Sequence, residues 1–136
     1  MIKFLPPRLI ELAKKLSQPV YVVGGFTRNF LINGYISEDI DICSALRLEQ
    51  IKGALDECDF KVVTEIERTG TLIVYDGQRK YEFTTFRTEE YYGGEHTPYK
   101  TVFTDDIVKD AMRRDFKCNA VYYDIKTKNS LTRWVA

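Results

Sequence analysis

The sequence predicts an α+β domain in which helices pack on a small mixed sheet. Two observations support this fold class. Apolar residues recur at helical spacing in some stretches, and elsewhere they alternate with polar residues or form short β-branched runs. These stretches follow one another in the order helix, strand, helix, strand, helix, hairpin, helix. A length of 136 residues suits one domain with one core.

Helices and single strands dominate the first half of the prediction. Leucines at helical spacing follow Pro6 and Pro7, which suit a helix start, and a β-branched run ends at a glycine pair. Acidic and apolar residues then alternate, which is typical of a strand with two unlike faces. The predicted elements are a helix over 7–17, a strand over 20–23, a helix over 26–33, a strand around 39–42 and a helix around 48–55.

A hairpin is the main prediction for the second half. Asp76-Gly77 separates two stretches rich in strand-forming residues, as a tight turn does. The polar stretch 87–103 contains Gly93-Gly94 and Pro98, which predict a mobile loop. The other predicted elements are a strand over 60–66, hairpin strands over 71–75 and 80–86, a helix capped by Thr104 or Asp105 and reaching about residue 114, and a closing strand over 119–125.

The overall charge excludes one way of binding RNA. Twenty basic and twenty acidic side chains cancel, so bulk electrostatic attraction to nucleic acid is not expected from this chain. Three cysteines without a CxxC pair, and no secretory signal, predict reduced thiols and a cytoplasmic location. No apolar run approaches the ~20 residues of a membrane span.

Asp39 and Asp41 are the most informative pair of residues. On a strand, residues i and i+2 share a face and lie roughly 7 Å apart. Two such carboxylates suit hard divalent cations, and Mg²⁺ held there can also bind substrate phosphates. An isolated Asp-x-Asp is common, so a solvated strand face stays open as the alternative.

Two further segments suit phosphate binding. Gly24-Gly25 lies between a strand and a helix start, where backbone N–H groups can approach an anion, and Arg28 follows in the first helical turn. The segment 113–120 contains Arg114, which can reach a triphosphate, and Asp115 and Asn119, which can hold a ribose hydroxyl or position the arginines. An ordinary strand-to-helix turn and a solvated last helical turn are the alternatives.

Together the motifs resemble those of class II tRNA nucleotidyltransferases and bacterial poly(A) polymerases. VVGGFTRNFLING followed by EDIDI is similar to the first signature, and RRDFKCNAVYYD is similar to the second, an Arg-Arg-Asp followed by Asn-Ala. YEFTTFR resembles the strand before the family's flexible loop. The motifs occur in the family's order across residues 15–127, and three in order are far more specific than one.

The resemblance implies a DNA polymerase beta-like nucleotidyltransferase fold in the N-terminal head domain. It implies Mg²⁺-dependent transfer of nucleotides from ATP or CTP to an RNA 3′ end, with tRNA CCA addition as the leading prediction. The residues that it implies are Asp39 and Asp41 as catalytic metal ligands, Glu82 as a third acidic position, and Gly24, Gly25, Arg28, Arg114, Asp115 and Asn119 at the nucleotide.

Three departures keep alternatives open. Asn29 replaces the family's usual Asp, and the loop carries Gly93-Gly94-Glu95-His96 where the family has an acidic and arginine pattern. The family's neck, body and tail domains have no counterpart here, so we expect a fragment that binds RNA mainly through other domains. Poly(A) addition, and a nucleotide-binding head that is inactive alone, are the alternatives. An antibiotic or protein nucleotidyltransferase fits less well, because those usually carry Gly-Ser before the Asp-x-Asp.

Overall fold

The computed structural model describes residues 5–23, 39–90, 100–113, 120–127 and 130–133. Within these ranges the chain forms three helices and nine strands. In chain order they are α1 (Pro7–Lys15), β1 (Val20–Val23), β2 (Asp39–Ser44), α2 (Leu48–Glu57), β3 (Lys61–Ile66), β4 (Thr71–Tyr75), β5 (Lys80–Thr85), β6 (Arg87–Glu90), β7 (Lys100–Phe103), α3 (Ile107–Arg113), β8 (Ala120–Asp124) and β9 (Ser130–Arg133).

Seven of the described strands form one mixed sheet in the order β3-β4-β5-β2-β1-β8-β9. Strand β2 runs parallel to β5, whereas the other neighbouring pairs are antiparallel. Helix α2 and the strands β3 and β4 lie between β2 and β5 in the chain, so they form the connection that a parallel pair requires. The mixed sheet agrees with the predicted fold class.

The larger core lies on one face of this sheet, under α1 and α2. Leucines and isoleucines at helical spacing point to the sheet because one stripe of each helix is apolar. Burying such side chains is the main favourable term in folding. The fully buried members of this larger core include Leu9, Leu12, Ile40, Ile42, Ile51, Leu55, Leu72, Val74, Tyr81 and Phe83.

A smaller apolar cluster lies on the opposite face, against α3. It contains Val23, Cys43, Phe86, Ala111 and Tyr122. Because strand side chains alternate between faces, Asp41 and Cys43 of β2 belong to this second face, while Ile40 and Ile42 enter the larger core. This face has fewer buried apolar residues, and that leaves room beside the cluster for a polar cleft.

The turn between β4 and β5 is held by one carboxylate, as the Asp-Gly signal predicts. Asp76 Oδ1 accepts hydrogen bonds from the backbone N–H groups of Gln78 (2.9 Å) and Arg79 (2.8 Å). Gly77 has a φ of +98°, which glycine adopts readily. Tyr81 donates its hydroxyl to Asp76 Oδ2 at 2.6 Å, which ties the turn to the buried end of β5.

Most predicted elements are confirmed, and two predictions in the second half are wrong. The stretch 87–103 is not a loop at its ends, because β6 and β7 pair as an antiparallel two-stranded sheet with Arg87 opposite Phe103. The helix cap is Asp106 rather than Thr104 or Asp105, since Asp106 Oδ1 accepts the N–H of Val108 at 2.9 Å. The sequence also gave no expectation of β9.

Three further predictions concern the helix over 26–33, the cysteines and the absence of a membrane span. The predicted helix over 26–33 lies outside the described residues. Cys43 and Cys58 are free thiols and are buried, and Cys118 lies outside the described residues. No helix in the described ranges is long and apolar enough to cross a membrane.

Candidate active site

A polar cleft of about 290 Å³ opens on the second face of the sheet, beside the smaller apolar cluster. Strands β2, β4 and β5 form its floor, and β6 and the end of α3 contribute to its wall. Carboxylate, hydroxyl and guanidinium groups therefore converge on one cleft. Its lining residues are Val23, Asp41, Ile42, Ile66, Thr69, Thr71, Glu82, Thr84, Arg87 and Arg113.

Two carboxylates face each other across the parallel strand pair. Asp41 of β2 is the register partner of Glu82 of β5. Both residues are exposed, whereas their chain neighbours Ile40, Ile42 and Tyr81 are almost fully buried on the other face. Adjacent strands lie roughly 4.8 Å apart, so a register pair on one face brings two acidic side chains side by side. The sequence predicted both residues but not that they pair.

Two arginines supply positive charge to the same cleft. The Arg113 guanidinium donates through Nε to Asp110 Oδ1 at 3.1 Å, and 15% of its side chain is exposed. An Arg87 guanidinium nitrogen donates to the backbone carbonyl of Thr69 at 3.0 Å. Both side chains line the cleft that contains Asp41. An anion in this cleft would therefore meet guanidinium groups that neighbouring atoms hold in position.

Asp110 is a buried carboxylate behind this wall. Its residue is fully buried, at 0% relative exposure. Its Oδ1 accepts the backbone N–H of Arg87 at 3.1 Å as well as Nε of Arg113, and its Oδ2 accepts the hydroxyl of Tyr122 at 3.0 Å. One side chain of α3 thus connects strands β6 and β8 to an arginine of the cleft.

The remaining predicted residues divide into two groups. The backbone of Asp39 lies at the start of β2, where its register partner is Lys80. The predicted nucleotide contacts lie outside the described residues; they are Gly24, Gly25, Arg28, Arg114, Asp115 and Asn119. The roles given to all of these residues remain predictions.

Asp110 and Arg87 were not among the site residues predicted from the sequence. The one available signal was the i, i+3 spacing of Asp110 and Arg113, which places both on the same side of a helix. Such pairs are usually solvated surface pairs, and nothing local shows that this one is buried. Arg87 was part of a quoted motif, but its contact with Thr69 depends on how β6 packs against the β3–β4 turn.

A divalent metal needs several oxygen donors close together. Within the described residues, no group of three or more His, Cys, Asp or Glu side chains lies close enough together to hold an ion. The carboxylates of Asp41 and Glu82 are nevertheless hard oxygen donors at the same cleft, and such donors suit Mg²⁺, which binds through one or two carboxylates plus substrate phosphates. The described donors therefore fit this metal.

Comparison with solved structures defines the class of fold. The Bacillus stearothermophilus CCA-adding enzyme in complex with CTP superposes with a TM-score of 0.70 at 24% identity, over 93% of this chain and 30% of that one. The Thermotoga maritima CCA-adding enzyme complexed with tRNA-CCA gives a TM-score of 0.63 at 25% identity, over 98% and 30%. The fold is that of the DNA polymerase beta-like nucleotidyltransferases.

Sequence comparison identifies the family. Residues 20–132 match the family model described as the poly A polymerase head domain, and the chain belongs to that family. The CCA-adding enzyme of Streptococcus sanguinis is 37% identical over 116 residues, which are 85% of this chain and 28% of the relative. The CCA-adding enzyme of Ligilactobacillus salivarius is 36% identical over 126 residues, which are 93% of this chain and 30% of that relative. This chain thus spans less than a third of these relatives.

Proposed function

We propose that the chain is the catalytic head of a tRNA nucleotidyltransferase that adds nucleotides from ATP and CTP to an RNA 3′ end. The observation that supports this most is the cleft, in which the carboxylates of Asp41 and Glu82 share one space with the guanidinium groups of Arg87 and Arg113. Phosphoryl transfer from a nucleoside triphosphate needs such a combination, because cations must be bound and phosphate charge must be neutralised. The relatives named CCA-adding enzymes favour tRNA as the acceptor.

A divalent cation fits the proposed reaction. Asp41 and Glu82, together with Asp39 as predicted from the sequence, would hold Mg²⁺. The ion would lower the pKa of the attacking hydroxyl and offset charge on the departing pyrophosphate. Arg113 and Arg87 contribute fixed positive charge for the phosphates. Catalysis then consists of positioning and electrostatic stabilisation, with no covalent intermediate on the chain.

The remaining proposals concern the predicted nucleotide contacts, the contacts with RNA and the cellular location. We propose that Gly24, Gly25, Arg28, Arg114, Asp115 and Asn119 contact the nucleotide, as the motifs imply. RNA contacts would come mainly from other domains, since the charge of this chain sums to zero. We place the reaction in the cytoplasm. Cys43 and Cys58 support this, because they are buried in different core clusters, as suits reduced thiols.

Primer extension tests the activity. The chain is incubated with Mg²⁺, labelled CTP or ATP, and a tRNA that lacks its 3′ CCA, with an A-tailed RNA in a parallel arm. Extension of the tRNA by CTP and then ATP supports CCA addition, whereas ATP extension of both RNAs supports poly(A) addition. Binding of nucleotide without any extension supports the binding-module alternative. Absence of both nucleotide binding and extension contradicts the proposed function.

A further inference from the structure

We propose that Asp110 is a positioning residue, which holds the guanidinium of Arg113 and the first residue of β6 at the cleft so that phosphate groups of a nucleotide meet prearranged donors. The proposal rests on the proposed function of the cleft, and it assigns a role to a residue that does not itself line the cleft.

Burial shows that Asp110 is not an ordinary helix-surface residue. Aspartate is rarely fully buried unless charged or hydrogen-bonding partners compensate for lost water. Asp110 is fully buried, and both of its oxygens accept hydrogen bonds, from Arg87 N–H, Arg113 Nε–H and the Tyr122 hydroxyl. A carboxylate with donors on both oxygens has a fixed orientation, so the groups that donate to it are fixed as well.

The anchor behind Asp110 is itself rigidly packed. Tyr122 is fully buried in β8, and its ring makes an edge contact with Tyr21 at 6.1 Å between centroids and with Phe86 at 6.5 Å. Aromatic edge contacts of this kind favour one ring orientation. The Tyr122 hydroxyl therefore offers its proton from a defined point, and it fixes the far oxygen of Asp110.

The near oxygen then sets the cleft wall. Asp110 Oδ1 accepts from Arg113 Nε at 3.1 Å and from Arg87 N at 3.1 Å. Bonding through Nε restrains the guanidinium plane of Arg113, and Arg113 lines the cleft. The bond to the Arg87 backbone fixes the start of β6. The Arg87 side chain then reaches the carbonyl of Thr69 at the same cleft. Both arginines are thus prearranged by one carboxylate.

The charge of Asp110 also contributes to the electrostatics of the cleft. The guanidinium groups of Arg87 and Arg113 share the cleft with the carboxylates of Asp41 and Glu82, and Asp110 adds a further carboxylate behind the two arginines. Prearranged donors bind more tightly because less side-chain freedom is lost on binding. Asp110 therefore acts on nucleotide affinity through Arg113 rather than through contact with the nucleotide.

Asp110→Asn tests this role, because Asn keeps the shape and can still accept from Arg87 and Arg113 while removing the charge. Calorimetric titration with Mg-ATP is expected to show affinity weakened about tenfold, the equivalent of roughly 1.4 kcal/mol. Asp124→Asn is the matched control, since Asp124 is another buried aspartate that accepts the N–H of Lys126 away from the cleft. The affinity of the Asp124→Asn variant for Mg-ATP should be unchanged. In primer extension, Asp110→Asn should raise KM for the nucleotide more than it lowers kcat.

A double-mutant cycle separates positioning from general stability. Arg113→Gln should weaken binding, and adding Asp110→Asn to it should change affinity less than twofold. If the two effects multiply, or if Asp110→Asn binds as tightly as the unaltered chain, the proposal is wrong. If Asp110→Asn does not fold, Arg113→Lys decides: it keeps the charge and loses the planar fork, so a tenfold loss supports positioning and unchanged affinity overturns it. An unaltered chain that binds no nucleotide contradicts both this role and the proposed function.

Discussion

Asp41 and Glu82 lie directly opposite each other on the two parallel strands β2 and β5, and both line the polar cleft. They are 41 positions apart in the sequence, so their pairing depends on the crossover through α2, β3 and β4. Two neighbouring carboxylates repel each other unless a cation lies between them. The proposed metal would bind where these two carboxylates meet, in a cleft that Arg87 and Arg113 also line.

Asp41→Asn is expected to reduce nucleotide transfer at least about a hundredfold, the order of effect seen when a preorganised electrostatic contact to a transition state is lost. Because the Asp41 side chain is exposed, its replacement should change the free energy of unfolding by less than about 0.5 kcal/mol. Relief of repulsion with Glu82 acts in the stabilising direction. Primer extension and urea unfolding measure the two effects.

The control for this variant is Asp56→Asn. Asp56 is an exposed carboxylate in α2 that does not line the cleft, and the same loss of charge there should leave transfer unchanged. If Asp41→Asn retained normal transfer, Asp41 would not be a metal ligand.

Glu82→Gln decides whether Glu82 is a third acidic position or an ordinary exposed strand glutamate. If it helps to hold the metal, the variant should need about tenfold more Mg²⁺ for half-maximal transfer, as losing part of a metal's supporting contacts commonly does. Glu65→Gln is the matched control, since Glu65 is also a strand glutamate but pairs with Lys52 at 2.5 Å away from the cleft. Equal Mg²⁺ requirements in both variants would support the ordinary strand residue.

The fold was largely predictable because its elements carry local signals. Leu9 and Leu12 recur at helical spacing, Ile40 and Ile42 alternate with acids, and Asp76-Gly77 marks a tight turn; each pattern reflects a side-chain face that must be buried. The strand pair β6–β7 carries no such pattern. Its residues RTEE and KTVF are mostly polar, so the glycines and the proline between them dominated the prediction.

The two carboxylates of the candidate cleft were predictable from the sequence, whereas its arginines and its arrangement were not. The Asp-x-Asp motif identified Asp41, and strand alternation placed Glu82 on the polar face, because both signals are local. Burial of Asp110 is a tertiary property, since it requires Tyr122 from β8 and the backbone of Arg87 from β6 to meet at one helix residue. No spacing along the chain encodes that meeting.

Tyr81→Phe is expected to destabilise the domain at neutral pH by about 1–2 kcal/mol, the range for a lost hydrogen bond to a partly exposed charged group. Burial by itself would raise the pKa of Asp76, but the hydrogen bonds from Tyr81 and from the Arg79 and Gln78 backbone outweigh it and hold that pKa below its ordinary value. Urea unfolding at pH 7 measures the loss, and Tyr75→Phe, an exposed tyrosine of β4, is the control.

The same carboxylate predicts a pH dependence. A carboxyl whose pKa is lowered by folding contributes stability that is complete above its unfolded pKa of about 4 and is lost as pH falls through its folded pKa. The destabilisation caused by Asp76→Asn, which removes that titration, should therefore be largest at neutral pH and should shrink as pH falls below about 4. If the difference in free energy of unfolding between the unaltered chain and Asp76→Asn stayed constant down to pH 3, titration of Asp76 would not contribute to stability.

Gly70→Ala should destabilise the chain more than Gly77→Ala, although both glycines have positive φ, +67° and +98°. Alanine in this backbone region costs about 1–2 kcal/mol at either position. At Gly77 an added Cβ meets nothing within 4 Å, whereas at Gly70 it would lie 2.5 Å from the ring of Phe103. The difference between the two variants in urea unfolding therefore isolates the clash, which should add about 1–3 kcal/mol.

Gly70→Ala should also weaken function, because the clash involves the strand pair that supports the cleft. Gly70 lies between the cleft residues Thr69 and Thr71, and Phe103 is the register partner of Arg87. If Phe103 moves away from the new methyl group, β6 moves with it, and the bond from Arg87 to the Thr69 carbonyl is disturbed. Nucleotide affinity should fall in Gly70→Ala and stay normal in Gly77→Ala. Adding Phe103→Leu to Gly70→Ala should recover part of the stability, since the smaller side chain leaves space for the methyl group; no recovery would mean that backbone strain alone explains the loss.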